Sequence, residues 1–156
     1  MKPKFLSTQQ TVRANLTNDH VTVLITTNGI GEQVPPYILF PGESLSAIPC
    51  DILWRDDVWA NFSSKGWMDV PCFQVWMLKY INEINRRKSN GNQADYSLLM
   101  VDGHNSCLDA NTMFTAALNQ IICLAGPSQL INAWQANDSG TNHKFKSVLS
   151  ELIEDI

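Results

Sequence analysis

The stretch that decides the fold is YSLLMVDGHNS, at residues 96–106. Its first six residues form a nearly continuous apolar run, which is typical of a strand buried on both faces of a sheet, and such strands are usually central and parallel. The run ends at Asp102, and the small polar residues after it would let another group approach the carboxylate closely. Because ligands collect beyond the carboxyl ends of parallel strands, the stretch predicts an α/β fold with a candidate functional acid at Asp102. A turn former or helix cap is the alternative reading of that residue.

The residues after this stretch predict a β-α-β unit and a final helix. Asp109 can cap a helix that runs through Phe114 and Leu118, and the short strand IICL at residues 121–124 follows it. Gly126 and the proline after it stop that strand. Beyond the next loop, apolar residues recur at helical spacing and predict a last helix: Phe145, Val148, Leu149, Leu152 and Ile153.

The residues before it predict an antiparallel hairpin and a third strand. Residues 20–27 are rich in β-branched side chains and end in a turn signal, NGIG at residues 28–31. The second strand, at residues 37–40, is bounded by prolines and pairs with the first. Residues 58–62 alternate between apolar and polar side chains, which predicts the third strand.

A long amphipathic helix is predicted from Val70, with Asp69 as its N-cap. Its last turn carries Arg86-Arg87-Lys88, which could contact phosphate but is also explained by the negative end of the helix dipole. The apolar stripe that would face the core consists of Phe73, Trp76, Met77, Tyr80 and Ile84.

The five tryptophans, at positions 54, 59, 67, 76 and 134, are predicted to pack against the rest of the protein. Trp134 lies close in sequence to Asp138 and is therefore also a candidate for stacking on a nucleobase.

Composition is that of an ordinary globular domain of 156 residues, with 44% apolar and 17% charged residues. No apolar run approaches the ~20 residues of a membrane helix, and no apolar segment of a secretory signal follows the basic start, so we expect an intracellular protein. The net charge of -4 argues against a surface that coats nucleic acid generally. We therefore expect any basic footprint to be local or to be carried by segments missing from this chain.

The four cysteines, Cys50, Cys72, Cys107 and Cys123, form no paired spacing and are expected to be reduced and mostly buried. The sequence contains no phosphate-binding glycine-rich loop, no zinc pattern of His and Cys, and no serine nucleophile elbow. P-loop nucleotide hydrolysis, structural zinc and serine hydrolysis are therefore disfavoured.

Asp138 is the second acidic candidate, at the end of the loop before the last helix. Capping that helix is the alternative role for it. If Asp102 and Asp138 converge, they offer the oxygen ligands that a hard cation prefers. Two such ions, roughly 4 Å apart, can activate water and stabilise a leaving alkoxide in phosphodiester cleavage.

Several sequence blocks occur in an order that resembles the DDE superfamily endonuclease domain of pogo and jerky transposases and of centromere protein B-like relatives. The resemblance covers residues 18–146 and predicts a single partial DDE-type catalytic domain over residues 1–156. The blocks are VTVL at residues 21–24, VPPYILFPG at 34–42, GWM at 66–68, LLMVDGH at 98–104 and QAND at 135–138, with Phe145-Lys146 after the last.

The resemblance implies an RNase H-like mixed sheet, in which antiparallel strands are followed by a parallel β-α-β unit flanked by helices. It further implies that Asp102 and Asp138 are the second and third acids of a catalytic triad that binds Mg²⁺ or Mn²⁺, with DNA as the partner and the nucleus as the location. Candidate substrate contacts in the matched blocks and beside them are His104, Asn105, Gln135 and Lys146.

Two departures from the family pattern bear on activity. The first acid of such domains lies on the opening strand of the sheet, but no strand is evident before Asn18 and that stretch has no Asp or Glu. We therefore expect the chain to be truncated just after the first catalytic position, since Asp19 is too close to the next strand to substitute. Cys107 also stands where these domains commonly have a histidine.

Three hypotheses follow. The first is a metal-dependent nuclease in which water or a DNA 3′-hydroxyl attacks a phosphodiester. The second, favoured for this chain because one carboxylate is missing, is a non-catalytic module that keeps the fold for binding nucleic acid or a protein partner. The third is an unrelated α/β protein with the same local patterns.

Overall fold

The computed structural model describes residues 5–13, 20–88, 96–101, 107, 109–126 and 147, with the first of these segments described by its backbone. They form a mixed α/β fold, which confirms the predicted class. The strands are β1 (Phe5–Arg13), β2 (His20–Asn28), β3 (Tyr37–Pro41), β4 (Trp59–Ser63), β5 (Ser97–Val101) and β6 (Ile121–Ala125), and the helices are α1 (Cys50–Leu53), α2 (Val70–Lys88) and α3 (Ala110–Leu118), with a 3₁₀ turn at Leu45–Ala47.

The six described strands form one sheet in the order β4-β3-β2-β1-β5-β6. Strand β2 is antiparallel to both β1 and β3, whereas the pairs β3–β4, β1–β5 and β5–β6 are parallel. Five of the described strands therefore run in one direction and β2 runs against them. The carboxyl ends of those five strands point to the same edge of the sheet, which we call the carboxyl edge.

The hairpin of β2 and β3 forms as predicted, with Thr22 opposite Leu39 and Leu24 opposite Tyr37. Asn28 closes its turn, because its Oδ1 accepts hydrogen bonds from the backbone N–H groups of Ile30 at 3.1 Å and Glu32 at 2.8 Å. Asparagine suits this position since its short side chain mimics a backbone turn.

Strand β1 corrects the expectation that no strand precedes Asn18. All nine of its residues pair with β2, and Phe5 and Leu6 also pair with β5, opposite Leu99 and Met100. The segment reads FLSTQQTVR, which is mostly polar and carries no apolar alternation. The segment is a strand because its backbone pairs with two neighbouring strands. The spacing of apolar residues within the segment does not reveal such pairing.

Helix α2 packs against the sheet as predicted. Asp69 caps it, because its Oδ1 accepts a hydrogen bond from the Cys72 N–H at 2.8 Å. Trp76 stacks between Phe73 and Tyr80, with ring centroids 5.1 and 5.2 Å apart. The whole predicted stripe is buried in the core cluster, together with Leu24, Leu39 and Leu99 of the sheet. No helix in the described part of the chain is long and apolar enough to cross a membrane.

The β-α-β unit formed by β5, α3 and β6 is confirmed, and β5 is parallel to its neighbours. The prediction that β5 is buried on both faces is wrong for one face: Leu99 and Val101 are buried, whereas Leu98 and Met100 are half-exposed. Helix α3 contributes Ala116 to the same core cluster as Leu99, so it covers the face that is buried.

Two predictions about packing need correction. Trp54 does not pack: it follows α1 in a surface loop and is 82% exposed. Cys72 and Cys107 are buried cysteines, as predicted, but Cys50 is exposed. In both cases the residue type predicted burial, while the loop between β3 and β4 turns the side chain outward. The predicted last helix lies outside the described residues, apart from Ser147.

Candidate functional site

The parallel strands do not end level at the carboxyl edge. Leu6 lies opposite Met100, and Val101 lies opposite Ala125, so β5 and β6 end together near the start of β1. Strand β1 continues for seven residues beyond Leu6, to Arg13. At ~3.3 Å per residue, the end of β1 stands roughly 20 Å beyond the end of β5. We call this offset the step.

The floor of the step is the joint end of β5 and β6, where the Gly126 N–H donates a hydrogen bond to the Val101 carbonyl at 3.1 Å. The side of the step is the part of β1 that lies beyond its described pairs with β5. Asp102 follows Val101 directly in the sequence. Ligands collect beyond the carboxyl ends of parallel strands, so we expect a site at the end of β5 to lie in the step.

The predicted site residues themselves lie outside the described residues. The structure therefore neither brings Asp102 and Asp138 together nor separates them, and their convergence stays a prediction. The same holds for Trp134 as a stacking residue. The predicted substrate contacts also lie outside the described residues: His104, Asn105, Gln135 and Lys146.

The strand beside β5 bears on the missing first acid. β1 occupies the position between β2 and β5, and its nine residues include no Asp or Glu. Asp19, which we expected to be unable to substitute, lies outside the described residues. The described part of the sheet thus supplies no carboxylate beside the end of β5.

Two carboxylates near the carboxyl edge, Asp69 and Asp109, act as helix caps. Asp109 Oδ2 accepts hydrogen bonds from the Thr112 hydroxyl at 2.8 Å, the Thr112 N–H at 3.0 Å and the Gln74 amide at 3.1 Å. The bonds from Thr112, and then that from Gln74, lower the pKa of Asp109. Within the described ranges, no three His, Cys, Asp or Glu residues gather as a metal site. The described residues alone therefore do not fit a catalytic metal.

The loop between β4 and α2 presents an aromatic side chain, Trp67, which is 45% exposed. Its ring lies against that of His20, with centroids 4.7 Å apart and planes inclined by 42°. His20 begins β2 opposite Arg13, at the far end of the step. The prediction that Trp67 packs is thus correct for one side of the ring only. The sequence block GWM singled out Trp67 as part of the family resemblance, but it did not predict that the side chain is exposed.

The backbone around Trp67 is tightly held. Gly66 has φ +69°, and a Cβ there would clash with the His20 carbonyl oxygen, so only glycine fits without a shift. The Thr22 hydroxyl donates to the Gly66 carbonyl at 2.7 Å, and the Ser63 hydroxyl donates to the Trp67 carbonyl at 2.8 Å. The loop is therefore anchored to two strands.

The comparisons with known proteins agree with the sequence blocks. The family model described as DDE superfamily endonuclease matches residues 18–151. The chain belongs to this family. Comparisons with curated proteins and with solved structures find no match. The resemblance that the sequence blocks suggested is confirmed.

A buried polar network fixes α2 of this DDE domain to the sheet. The Tyr37 hydroxyl donates to the Cys72 carbonyl at 3.0 Å and accepts from the Asn61 amide at 2.7 Å. Burial, more than the neighbouring Asp69, raises the pKa of the Cys72 thiol to about 12, and burial also raises the pKa of Tyr37. Both groups therefore stay protonated, which suits a structural role rather than nucleophilic chemistry.

The basic run at the end of α2 lies away from the carboxyl edge of the DDE domain. The Arg86 and Arg87 side chains donate to Glu83 at 2.8 and 2.7 Å, and Arg87 also donates to the Gln33 carbonyl at 2.8 Å. The hydrogen bond from Arg86 is the main cause that lowers the pKa of Glu83. These contacts join α2 to the turn between β2 and β3. They favour the structural explanation of the run over phosphate contact.

A shallow groove of about 210 Å³ runs between α2 and α3 of the DDE domain. The bond from Gln74 to Asp109 spans the two helices there. The lining contains amides, hydroxyls and apolar groups but no titratable side chain, so it offers no acid–base chemistry: Gln74, Met77, Leu78, Asn111, Thr112 and Thr115.

Proposed function

We propose that this DDE domain binds nucleic acid at the carboxyl edge of its sheet and does not cut it. The observation that carries the proposal is β1: it lies next to β5, where the family carries an acid on its opening strand, and it has no Asp or Glu. Family membership supports DNA as the partner. The lack of an acid on the described strand β1 supports binding without cleavage.

An RNase H-like fold belongs to the same proposal. The described strands support it, because the antiparallel strands β1, β2 and β3 precede the parallel β5-α3-β6 unit, although β4 adds a parallel pair with β3 before that unit. In that arrangement Asp102, which follows β5 in the sequence, would belong to the floor of the step.

Asp102 and Asp138 would hold Mg²⁺ or Mn²⁺ in this proposal. Such an ion, when bound, would offset the negative charges of the carboxylates and of a phosphate group, and it can activate water. The two carboxylates would hold the ion, and without it they would repel a phosphate group. With no carboxylate on β1, a pair of ions lacks a bridging ligand, so phosphodiester cleavage is expected to be lost.

The overall charge of -4 requires that attraction to phosphate be local. Lys65 is exposed on the loop that carries Trp67, and it is one basic side chain near the carboxyl edge. A DNA partner would place the protein in the nucleus, as the resemblance implied.

The test combines binding and cleavage on the same protein. We expect the wild-type chain to bind labelled DNA with an affinity that falls as salt rises, and to leave supercoiled and nicked DNA intact with Mn²⁺. Fluorescence anisotropy measures the binding, and agarose electrophoresis measures the cleavage.

Asp102→Asn is the control for the cleavage assay. Cutting that requires metal and is abolished by Asp102→Asn would show that the domain is a nuclease and would overturn the non-catalytic proposal. Failure of the wild-type chain to bind DNA would overturn nucleic-acid binding and leave a protein partner as the alternative.

A further inference from the structure

We propose that Trp67, supported from behind by His20, is a platform on which a base of single-stranded nucleic acid stacks. The inference rests on the proposed function, because it assumes that nucleic acid lies along the carboxyl edge. It adds a contact outside the predicted acidic residues. It also assigns a role to a tryptophan that was predicted only to pack against the rest of the protein.

The shape of the site suits stacking. Trp67 is 45% exposed, and the His20 ring lies 4.7 Å from it, so one side of the indole is supported while part of its surface is open to solvent. Aromatic side chains bind bases in this way because every base has a flat π face, whatever its sequence.

The platform is already ordered before any ligand binds. The Thr22 and Ser63 hydroxyls hold the Gly66 and Trp67 carbonyls, and Gly66 lets the loop approach the His20 backbone closely. Neighbouring Met68 is buried and anchors the loop from the other side. Because little freedom is lost on binding, the stacking free energy is not spent on ordering the loop.

The surroundings favour nucleic acid over a protein partner. The residues next to Trp67 that are exposed are polar or charged, namely Ser64, Lys65 and Asp69. Protein-binding surfaces usually extend a large aromatic into a wider apolar patch. An exposed aromatic beside a lysine instead matches the pairing of base stacking with phosphate attraction.

The register of the strands gives the distance from the acidic end of β5. His20 lies opposite Arg13, whereas the end of β5 lies level with the start of β1. The offset of roughly 20 Å corresponds to about six stacked nucleotides at ~3.4 Å each. Trp67 would therefore hold a flanking base, several nucleotides from any phosphate at Asp102.

The experiment measures anisotropy of a labelled single-stranded deoxyoligonucleotide with the full chain and its variants. Trp67→Ala should weaken binding roughly 5- to 100-fold, whereas Trp67→Phe should keep most of the affinity because it keeps an aromatic face. Trp54→Ala is the matched control, since Trp54 is more exposed, at 82%, and lies on the loop after α1. It should bind like the wild type.

An oligonucleotide without bases separates stacking from a structural effect. Wild type and Trp67→Ala should bind this probe equally, because it offers nothing to stack. Equal affinity of the wild type, Trp67→Ala and Trp67→Phe for the normal oligonucleotide would overturn the platform alone. A wild-type chain that binds labelled duplex DNA but neither of these probes would overturn the platform alone, and one that binds no DNA at all would overturn the proposed function as well. Weaker binding of Trp67→Ala to both probes by the same factor would show that Trp67 acts through folding, which also overturns the platform.

Discussion

At the scale of single residues, glycine placement shows how the sequence sets local geometry. Gly66 has a positive φ and leaves no room for a Cβ, because the His20 backbone lies against it. Gly29, in the turn after β2, has nothing within 4 Å of the position of a Cβ. The two residues are both glycine, but only Gly66 lies where a side chain would clash. Only Gly66 should therefore resist substitution.

Gly66→Ala should therefore lower the free energy of unfolding by about 1–3 kcal/mol or more, from backbone strain and a clash with main-chain atoms. Gly29→Ala, the control, should change it little. Urea denaturation followed by circular dichroism measures both. Equal midpoints for the two variants would show that the loop at Gly66 relaxes without cost. The same series would also tell whether the Trp67 loop is as rigid as its hydrogen bonds indicate.

At the scale of elements, α3 begins with a cap that also binds the neighbouring helix. Asp109 accepts the Thr112 N–H and hydroxyl of α3 and the Gln74 amide of α2. These bonds favour the ionised carboxylate, which is why its pKa is lowered. The capping of α3 and its docking on α2 thus depend on one charged side chain.

A group with a lowered pKa in the folded state stabilises the fold above its unfolded pKa of about 3.9, and that contribution disappears as the pH falls through the folded value. Asp109→Asn keeps an acceptor but no charge. We expect the wild type to have a higher urea midpoint than Asp109→Asn near neutral pH, and the difference to shrink in acid. A difference that stays constant with pH would contradict a role for the charge.

At the scale of the whole molecule, the sheet has a paired centre and two described edges. Strand β2 has a partner on each side, whereas β6 pairs with β5 alone among the described strands. Ile122 and Leu124 of β6 are 49% and 44% exposed, so neither its described edge nor one of its faces is fully covered. Unpaired edges are the positions at which sheets recruit further chains.

Hydrogen exchange measured by mass spectrometry should therefore show slow exchange in peptides of β2 and faster exchange in peptides of β6. Protection of β6 equal to that of β2 would mean that another part of the chain or a second copy covers it. Repeating the measurement at several protein concentrations distinguishes these two covers, because only the second depends on concentration.

The sequence by itself determined the elements whose own side chains carry the signal. Three features are local patterns, because the residues that form each of them lie close together in the sequence. They are the hairpin turn at Asn28, the cap at Asp69 and the apolar stripe of α2. The β5-α3-β6 unit was predictable for the same reason. The end of β5 was predictable because its apolar run stops at Val101, whereas a role for Asp102 stays a prediction.

Only the tertiary structure decided which elements meet. The polar segment FLSTQQTVR is a strand because β2, the next strand along the chain, and β5, which is remote in sequence, both pair with it. Trp54, Trp67 and Trp76 are alike as residues, yet they are 82%, 45% and 0% exposed. The spacing of apolar residues in a segment indicates which of its sides can be buried. Whether that side is buried, and whether the backbone is paired, depends on atoms from elsewhere in the chain.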